Sequence, residues 1–347
     1  MAVKIILIAV FFVVMLGVGI YCRKKATDVN GFVLGGRNVG PWLTAFAFGT
    51  SYFSAVIFVG YAGQFGWNFG LASTWIGLGN AFIGSLLAWV ILGRRTCVMT
   101  HSLDSKTMPD FFGLRFKSPA LKIVASVIVF IFLIPYTASL FNGLSRLFTM
   151  AFPAVNYTWC VIVMAVLTGI YVIVGGYMAT AVNDFIQGLI MLGGIVAVIA
   201  LVLQKNGGFT ESVTLLANTT SPETADFPGA YASFFGPQPL SLLFVVLLTS
   251  LGTWGLPQMV GKFYAIKSES SITKGTIIST FFAIVVAGGC YFLGGFGRLF
   301  TTQEAVKANG YDSIVPSMLS GLDSDFIIGI VLVLVLSASM STLSSLV

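Results

Sequence analysis

Six hydroxyl side chains fall within nine residues of the run SASMSTLSSLV, at Ser337, Ser339, Ser341, Thr342, Ser344 and Ser345. They follow directly on the apolar stretch FIIGIVLVLVL. On a helix, Ala338, Ser341, Thr342 and Ser345 recur at i, i+3, i+4 and i+7 and share one face, with Ser344 beside them. Hydroxyl oxygens are hard, neutral ligands suited to an alkali cation, and a broken neighbouring helix adds backbone carbonyls. Small residues also let helix backbones approach closely. Packing accounts for Ala338 and one or two serines, and less well for four hydroxyls in five positions. The other chemically expensive group is Asp184, in GGYMATAVNDFIQGLIM. Of the 12 acidic residues it alone falls inside an apolar span rather than in a loop or at a span edge. An ionisable group there points to function. The alternative is a helix N-terminal carboxylate favoured by the macrodipole, with Asn183 as the cap.

The elements that must carry these groups are membrane helices. The chain is 57% hydrophobic and 9% charged, with a mean hydropathy of +0.96. A soluble domain is typically about a quarter charged. At about 20 apolar residues per span, the sequence predicts nine spans, near 3–22, 41–65, 71–93, 120–146, 157–175, 183–204, 240–262, 275–298 and 326–347. The first is followed by CRKK rather than a small-residue cleavage site, which argues against a signal peptide. Of 18 basic residues, 13 fall in one set of loops: Arg23, Lys24, Lys25, Arg37, Arg94, Arg95, Lys106, Arg115, Lys117, Lys122, Lys262, Lys267 and Lys274. That side is expected to be cytoplasmic, with the N-terminus outside. The net charge of +6 is therefore a topology signal, and no basic-aromatic face suggests nucleic acid. Cys22, Cys97, Cys160 and Cys290 have no metal-knuckle or disulfide spacing, and His101 reads as a solvated loop residue.

Two loops and two spans stand out. The segment 205–239 reads as a long external loop without regular structure, acidic at Glu211, Glu223 and Asp226, and either a cover or a tolerated insertion. SKTMPDFFGLRF predicts a short surface helix starting at Pro109. The second span, WLTAFAFGTSYFSAVIFVGYAGQFG, and the seventh, LLTSLGTWGLPQMVGKFYA, place helix breakers where the bilayer is most apolar. Carbonyls freed there need a cavity, ion or substrate. Paired interrupted helices point to a secondary transporter's binding site, and these two lie five spans apart, as a five-plus-five inverted repeat requires.

Four stretches in order, GGRNVGPWLTAFAFGTSYFSAVIFVG, GGYMATAVNDFIQG, GLPQMVGKFYAIKS and SASMSTLSS, resemble the sodium:solute symporter family, which includes proline, pantothenate, sialic acid and glucose symporters. The resemblance implies an all-α, multi-pass membrane protein with a LeuT-type inverted-repeat core. Residues 1–40 would form a leading helix and cytoplasmic loop, 41–204 the first repeat, 205–239 the extracellular loop, and 240–347 a partial second repeat. It implies a first sodium held by carbonyls of Thr50, Phe53 and Ala338 and hydroxyls of Ser341 and Thr342. A second sodium in some members maps onto Asp184, Ser344 and Ser345, with Ser341 shared.

Candidates for the solute cavity are Tyr52, Ser54, Tyr136, Thr253, Trp254 and Gln258. Tyr52 stands where the proline branch carries a carboxylate and looks more like the pantothenate branch, whereas IPYTASLFNGLSRLF, with Tyr136, resembles the proline branch. No lysine or arginine is expected mid-membrane, so an anionic solute would rely on broken-helix N-termini and hydroxyls. The expected function is sodium-driven import of a small organic solute, an amino acid or carboxylate such as proline or pantothenate, across the plasma membrane. The alternatives are a transporter-like sensor module or a non-functional truncated fragment, because the family usually has about thirteen spans. No nucleophile elbow, phosphate loop or His/Cys/Asp cluster suggests an enzyme. Paired broken helices suit alternating access better than a channel.

Overall fold

The computed structural model describes residues 2–25, 28–152, 156–221, 224–225, 227–320 and 325–346. Their regular structure is helical, apart from one isolated bridge between Val39 and Ile266. Glu223, Asp226, Val347 and the side chain of Cys160 lie outside the described residues. The principal helices are α1 (Ala2–Cys22), α2 (Pro41–Tyr52), α3 (Pro119–Ala151), α4 (Tyr157–Lys205), α5 (Pro239–Leu251), α6 (Pro257–Tyr264), α7 (Glu269–Gly294) and α8 (Asp325–Leu346). Between α2 and α3 runs a helical stretch, Val56–Ser102.

Among the described residues, six helices are long and apolar enough to cross a membrane, or seven if the α5–α6 pair counts as one bent span. Two expected spans, 41–65 and 157–175, are not counted separately: the stretch Val56–Ser102 takes in part of the first with 71–93, and the second contributes the shorter apolar helix Val161–Ile170. The span at 41–65 breaks at Phe53, where α2 ends at φ −100° and ψ 80°. The span at 157–175 runs into Gly176, whose φ of 57° and ψ of −158° kink α4 within the apolar stretch Val172–Lys205. Only glycine adopts that backbone without strain.

α8 is buried along most of its length and packs against α1, α2 and α4. α7 packs against α2 and the 62–87 part of the following helical stretch. The closest approach there is backbone to backbone: a Cβ on Gly66 would collide with the Gly294 carbonyl, and one on Gly294 with that of Ala62. α3 instead exposes Ile123, Val124, Val127, Phe130, Ile131 and Ile134. This is the surface a lipid-facing helix presents.

The two ends of the bundle differ. At one end Arg37 donates to the Ser105 carbonyl at 2.9 Å, and Lys267 N–H donates to the Val39 carbonyl at 3.0 Å. The surface helix is present there as Met108–Arg115, capped by Thr107. At the other end, the segment 205–239 is not structureless, contrary to the sequence expectation. It contains a helix at Phe209–Ala217 and buries Tyr231, because an aromatic partner is available. The Arg298 guanidinium lies 3.9 Å from the Tyr231 ring centroid and 4.3 Å from that of Trp67. Such stacking is a favourable cation–π arrangement. It fastens the loop over the end of the broken second span.

Candidate functional site

The first group forms where α2 ends against α8. Pro41 starts α2 by supplying a helical φ where no amide partner is needed. The helix ends at Phe53 and is followed by a π-helical turn at Val56–Tyr61. π-turns inside helices are frequent at functional sites, and the interruption releases the last carbonyls of α2 from the helical ladder. α8 meets this break with its hydroxyl face. Ser341 Oγ donates to Thr50 Oγ1 at 2.8 Å, and Thr50 Oγ1 donates to the Phe46 carbonyl at 2.8 Å. Thr342 Oγ1 donates to the Ala338 carbonyl at 3.0 Å and lies 3.5 Å from that of Ser51. Thr50, Phe53, Ala338, Ser341 and Thr342 are all buried. The fold therefore collects two released carbonyls, the Ala338 carbonyl and two hydroxyls from distant segments, with no charged side chain among them.

One turn further along α8 the chemistry becomes ionic. Asp184 is fully buried on α4, and its Oδ2 lies 3.5 Å from Lys262 Nζ. Neither Asp184 oxygen accepts a well-formed hydrogen bond. Lys262 Nζ donates to Ser345 Oγ at 2.9 Å, and Ser344 Oγ donates to the Ser341 carbonyl at 2.9 Å. Two sequence expectations are corrected here. Lys262 is not a loop cation: it is only 3% exposed, because α6 extends the bent seventh span past Pro257 and turns this side chain inward. Asn183 does not cap a helix before Asp184; α4 runs continuously past both, and the Asn183 side chain donates to the Met15 carbonyl.

The second break lies between α5 and α6, which meet at 51°. Pro257 disfavours helical geometry at Leu256, which is extended at φ −72° and ψ 125°. The N-terminus of α6 carries no side-chain cap. Gln258 is buried there with both side-chain polar atoms unpartnered, and the Tyr136 phenol faces Ser54 and Gln258. Tyr52 donates to the Thr249 carbonyl at 3.1 Å, lies beside Thr253, and fits against Gly84, where a Cβ would collide with its hydroxyl. Trp254 points elsewhere: its indole N–H donates to the Ile83 carbonyl at 3.1 Å. A cavity of about 530 Å³ runs past Gln258, Lys262, Tyr177, Ser344 and Ser345 towards the basic end of the bundle.

Sequence reasoning missed Lys262, Ser51 and Asn80 as members of these groups. Lys262 had a usable signal, one helical turn beyond Gln258 in PQMVGK. Asn80 is a lone amide in an apolar span, fully buried, whose Oδ1 accepts from Thr249 and Ser250 at 3.1 Å each. Ser51 is reached only through tertiary contact, with its Oγ 2.8 Å from Ser345 Oγ.

A helical membrane bundle with two interrupted spans, one break facing a hydroxyl-lined helix, has the architecture of a secondary transporter. The sodium:solute symporter family matches residues 32–347, and the chain belongs to that family. It is 30% identical over 349 residues to the osmoregulated proline transporter OpuE of Bacillus subtilis, a match covering 99% of this chain and 69% of that protein. It is 31% identical over 346 residues to a sodium/proline symporter of Staphylococcus aureus, covering 98% and 65% respectively. The chain thus spans about two thirds of the length of these relatives. Among solved structures, a Na+-coupled sialic acid symporter in a substrate-bound outward-open state superposes with a TM-score of 0.80 at 19% identity, over 99% of this chain and 71% of that one. The fold is the LeuT type.

Proposed function

We propose that the chain is the ion- and solute-binding part of a sodium-coupled symporter, and that its solute is a small amino acid or carboxylate of proline's kind. The observation that carries this reading is the buried contact between Thr50 on α2 and Ser341 on α8, 2.8 Å long, with the Asp184 carboxylate beside Ser341. Carbonyls and hydroxyls gathered in a dry place leave negative partial charge to be satisfied by a cation. Thr50, Phe53, Ala338, Ser341 and Thr342 are assigned to the first sodium.

Sodium between α2 and α8 would tie the two helices together and complete the solute pocket at the neighbouring breaks. Its release at the other side would loosen both. With the N-terminus outside and the basic loops in the cytoplasm of a cell with an inside-negative plasma membrane, each sodium carried inwards contributes about 2.3 kcal/mol per 100 mV, plus its concentration gradient. The repeats at 41–204 and 240–347 supply the rocking halves. Tyr52, Ser54, Tyr136, Thr253 and Gln258 surround the solute, and Trp254 braces the α5–α6 corner through Ile83. The proline-named relatives favour proline, while Tyr52 in place of a carboxylate favours a pantothenate-like acid, so both belong in the first screen.

The test is solute uptake by proteoliposomes with and without a sodium gradient. Ser341→Ala and Thr342→Ala should each raise the half-saturating sodium concentration about tenfold, the equivalent of ~1.4 kcal/mol. Unchanged sodium dependence in both variants would refute the ion assignment.

A further inference from the structure

We infer that the Lys262 ammonium is a tethered cation standing in the place of a second sodium, so that this chain takes up one sodium where a neutral residue at 262 would admit two. The inference rests on the sodium-coupled reading above and concerns its stoichiometry.

The residues at issue are Asp184, Ser344, Ser345 and Ser341, and the side chain that reaches into them is Lys262. Its Nζ lies 3.5 Å from Asp184 Oδ2 and donates to Ser345 Oγ at 2.9 Å. Its charge also faces the Tyr177 ring, 5.5 Å from the centroid. A lysine ammonium is a compact point charge, closer to an alkali ion in its demands than the planar fork of arginine.

Ser345 Oγ has one hydrogen and two lone pairs. Its hydrogen goes to the Ser341 carbonyl at 2.9 Å. One lone pair accepts from Lys262, and with the Ser345 hydrogen on the Ser341 carbonyl the other is left to accept from Ser51 Oγ, 2.8 Å away. Nothing remains on this oxygen to ligate a metal ion. The charge count agrees. One buried carboxylate faces one buried ammonium, and adding sodium would leave a net positive charge in a low-dielectric place, where it is costly. The ligands of the first group are themselves uncharged, and the Asp184 carboxylate beside Ser341 is already balanced by Lys262, so this group keeps its need for an ion from outside.

The experiment is radioactive-sodium binding to the purified chain in lipid nanodiscs, counted as ions per chain. The parent should bind one. Lys262→Gln, prepared in sodium, should bind two, because Asp184 regains an uncompensated charge and Ser345 a free lone pair. Lys262→Arg should stay at one, and so should Lys262→Gln combined with Asp184→Asn. Two ions in the parent, or one in Lys262→Gln, would overturn the proposal while leaving sodium coupling intact. No sodium binding in the parent would overturn the sodium-coupled reading itself, and this inference with it. If Lys262→Gln does not fold, the count in the parent still decides.

Discussion

The two broken spans present opposite ends of a helix to the interior. At the first break α2 finishes, so what faces inward is a C-terminal end with released carbonyls, met by the hydroxyls of Ser341 and Thr342. At the second break α6 begins, so what faces inward is an uncapped N-terminal end, met by Gln258 and the Tyr136 phenol. A helix carries partial negative charge at its C-terminus and partial positive charge at its N-terminus. On the proposed reading, the same device, an interrupted span, would make a place for a cation at one break and for an anionic group at the other. An anionic solute held at that N-terminal end would need no free lysine or arginine to grip its carboxylate. Among the described residues the most deeply buried ammonium, on Lys262, is already committed to Asp184 and Ser345.

If polarity divides the work in this way, variants at the two breaks should fail differently. The largest effect belongs to the ionic group that α6 carries just past the second break. Asp184→Ala would leave Lys262 as an uncompensated buried charge, a loss of roughly 3–5 kcal/mol. The expected outcome is a protein that melts far lower in detergent or does not accumulate. Asp184→Asn with Lys262→Gln, which removes both charges, should recover much of the loss. A melting temperature unchanged in Asp184→Ala would show that the pair is not held in the membrane as the structure places it.

A smaller effect is expected at the solute break. Gln258 is buried beside the Tyr136 phenol, with neither of its side-chain polar atoms in a well-formed hydrogen bond. Removing a group that hydrogen-bonds a ligand costs on the order of 1.4 kcal/mol. Gln258→Ala should therefore weaken solute binding about tenfold at saturating sodium, while sodium binding without solute stays within about twofold. Ser341→Ala should show the converse. Equal losses of both ligands in both variants would mean that the two breaks act as one site.

The sequence carried most of the architecture because span length and breaker placement are local signals. Both interrupted spans break where their glycines, hydroxyls and proline fall. The hydroxyl face of α8 was readable as a face, since its spacing needs only a helix. What could not be read was the partnership of side chains far apart in the chain. Ser51 and Ser345 are joined by packing, and no periodicity announces it. Lys262 looked like a loop cation because a charge beside a span end usually is one. Only the 51° bend after Leu256, which redirects α6, turns it inward. The external segment was misread for the same reason: Tyr231 is ordered by Arg298, a residue in another loop.

The smallest effect lies outside the membrane, on the helix Met108–Arg115 beside the entrance to the cavity. Partial burial pushes the Asp110 carboxyl up. The Lys122 ammonium at 2.7 Å and the Lys106 amide at 3.2 Å outweigh it, and the group is held below the usual carboxylate value of 3.8. A depressed carboxyl stabilises the folded state fully above its unfolded pKa and loses that contribution as pH falls through its folded one. The docking of this helix should therefore be insensitive to pH near neutrality and weaken only below about pH 4. The pair is partly exposed, so its worth is at most about 1 kcal/mol. Asp110→Asn at neutral pH should reproduce the acid effect, speeding amide hydrogen exchange in residues 108–115 by about fivefold after correction for intrinsic rates, with exchange in α8 unchanged. Exchange that speeds equally in α8 would mean that this helix is coupled to the ion-binding groups, and that the basic end of the bundle moves with the two breaks.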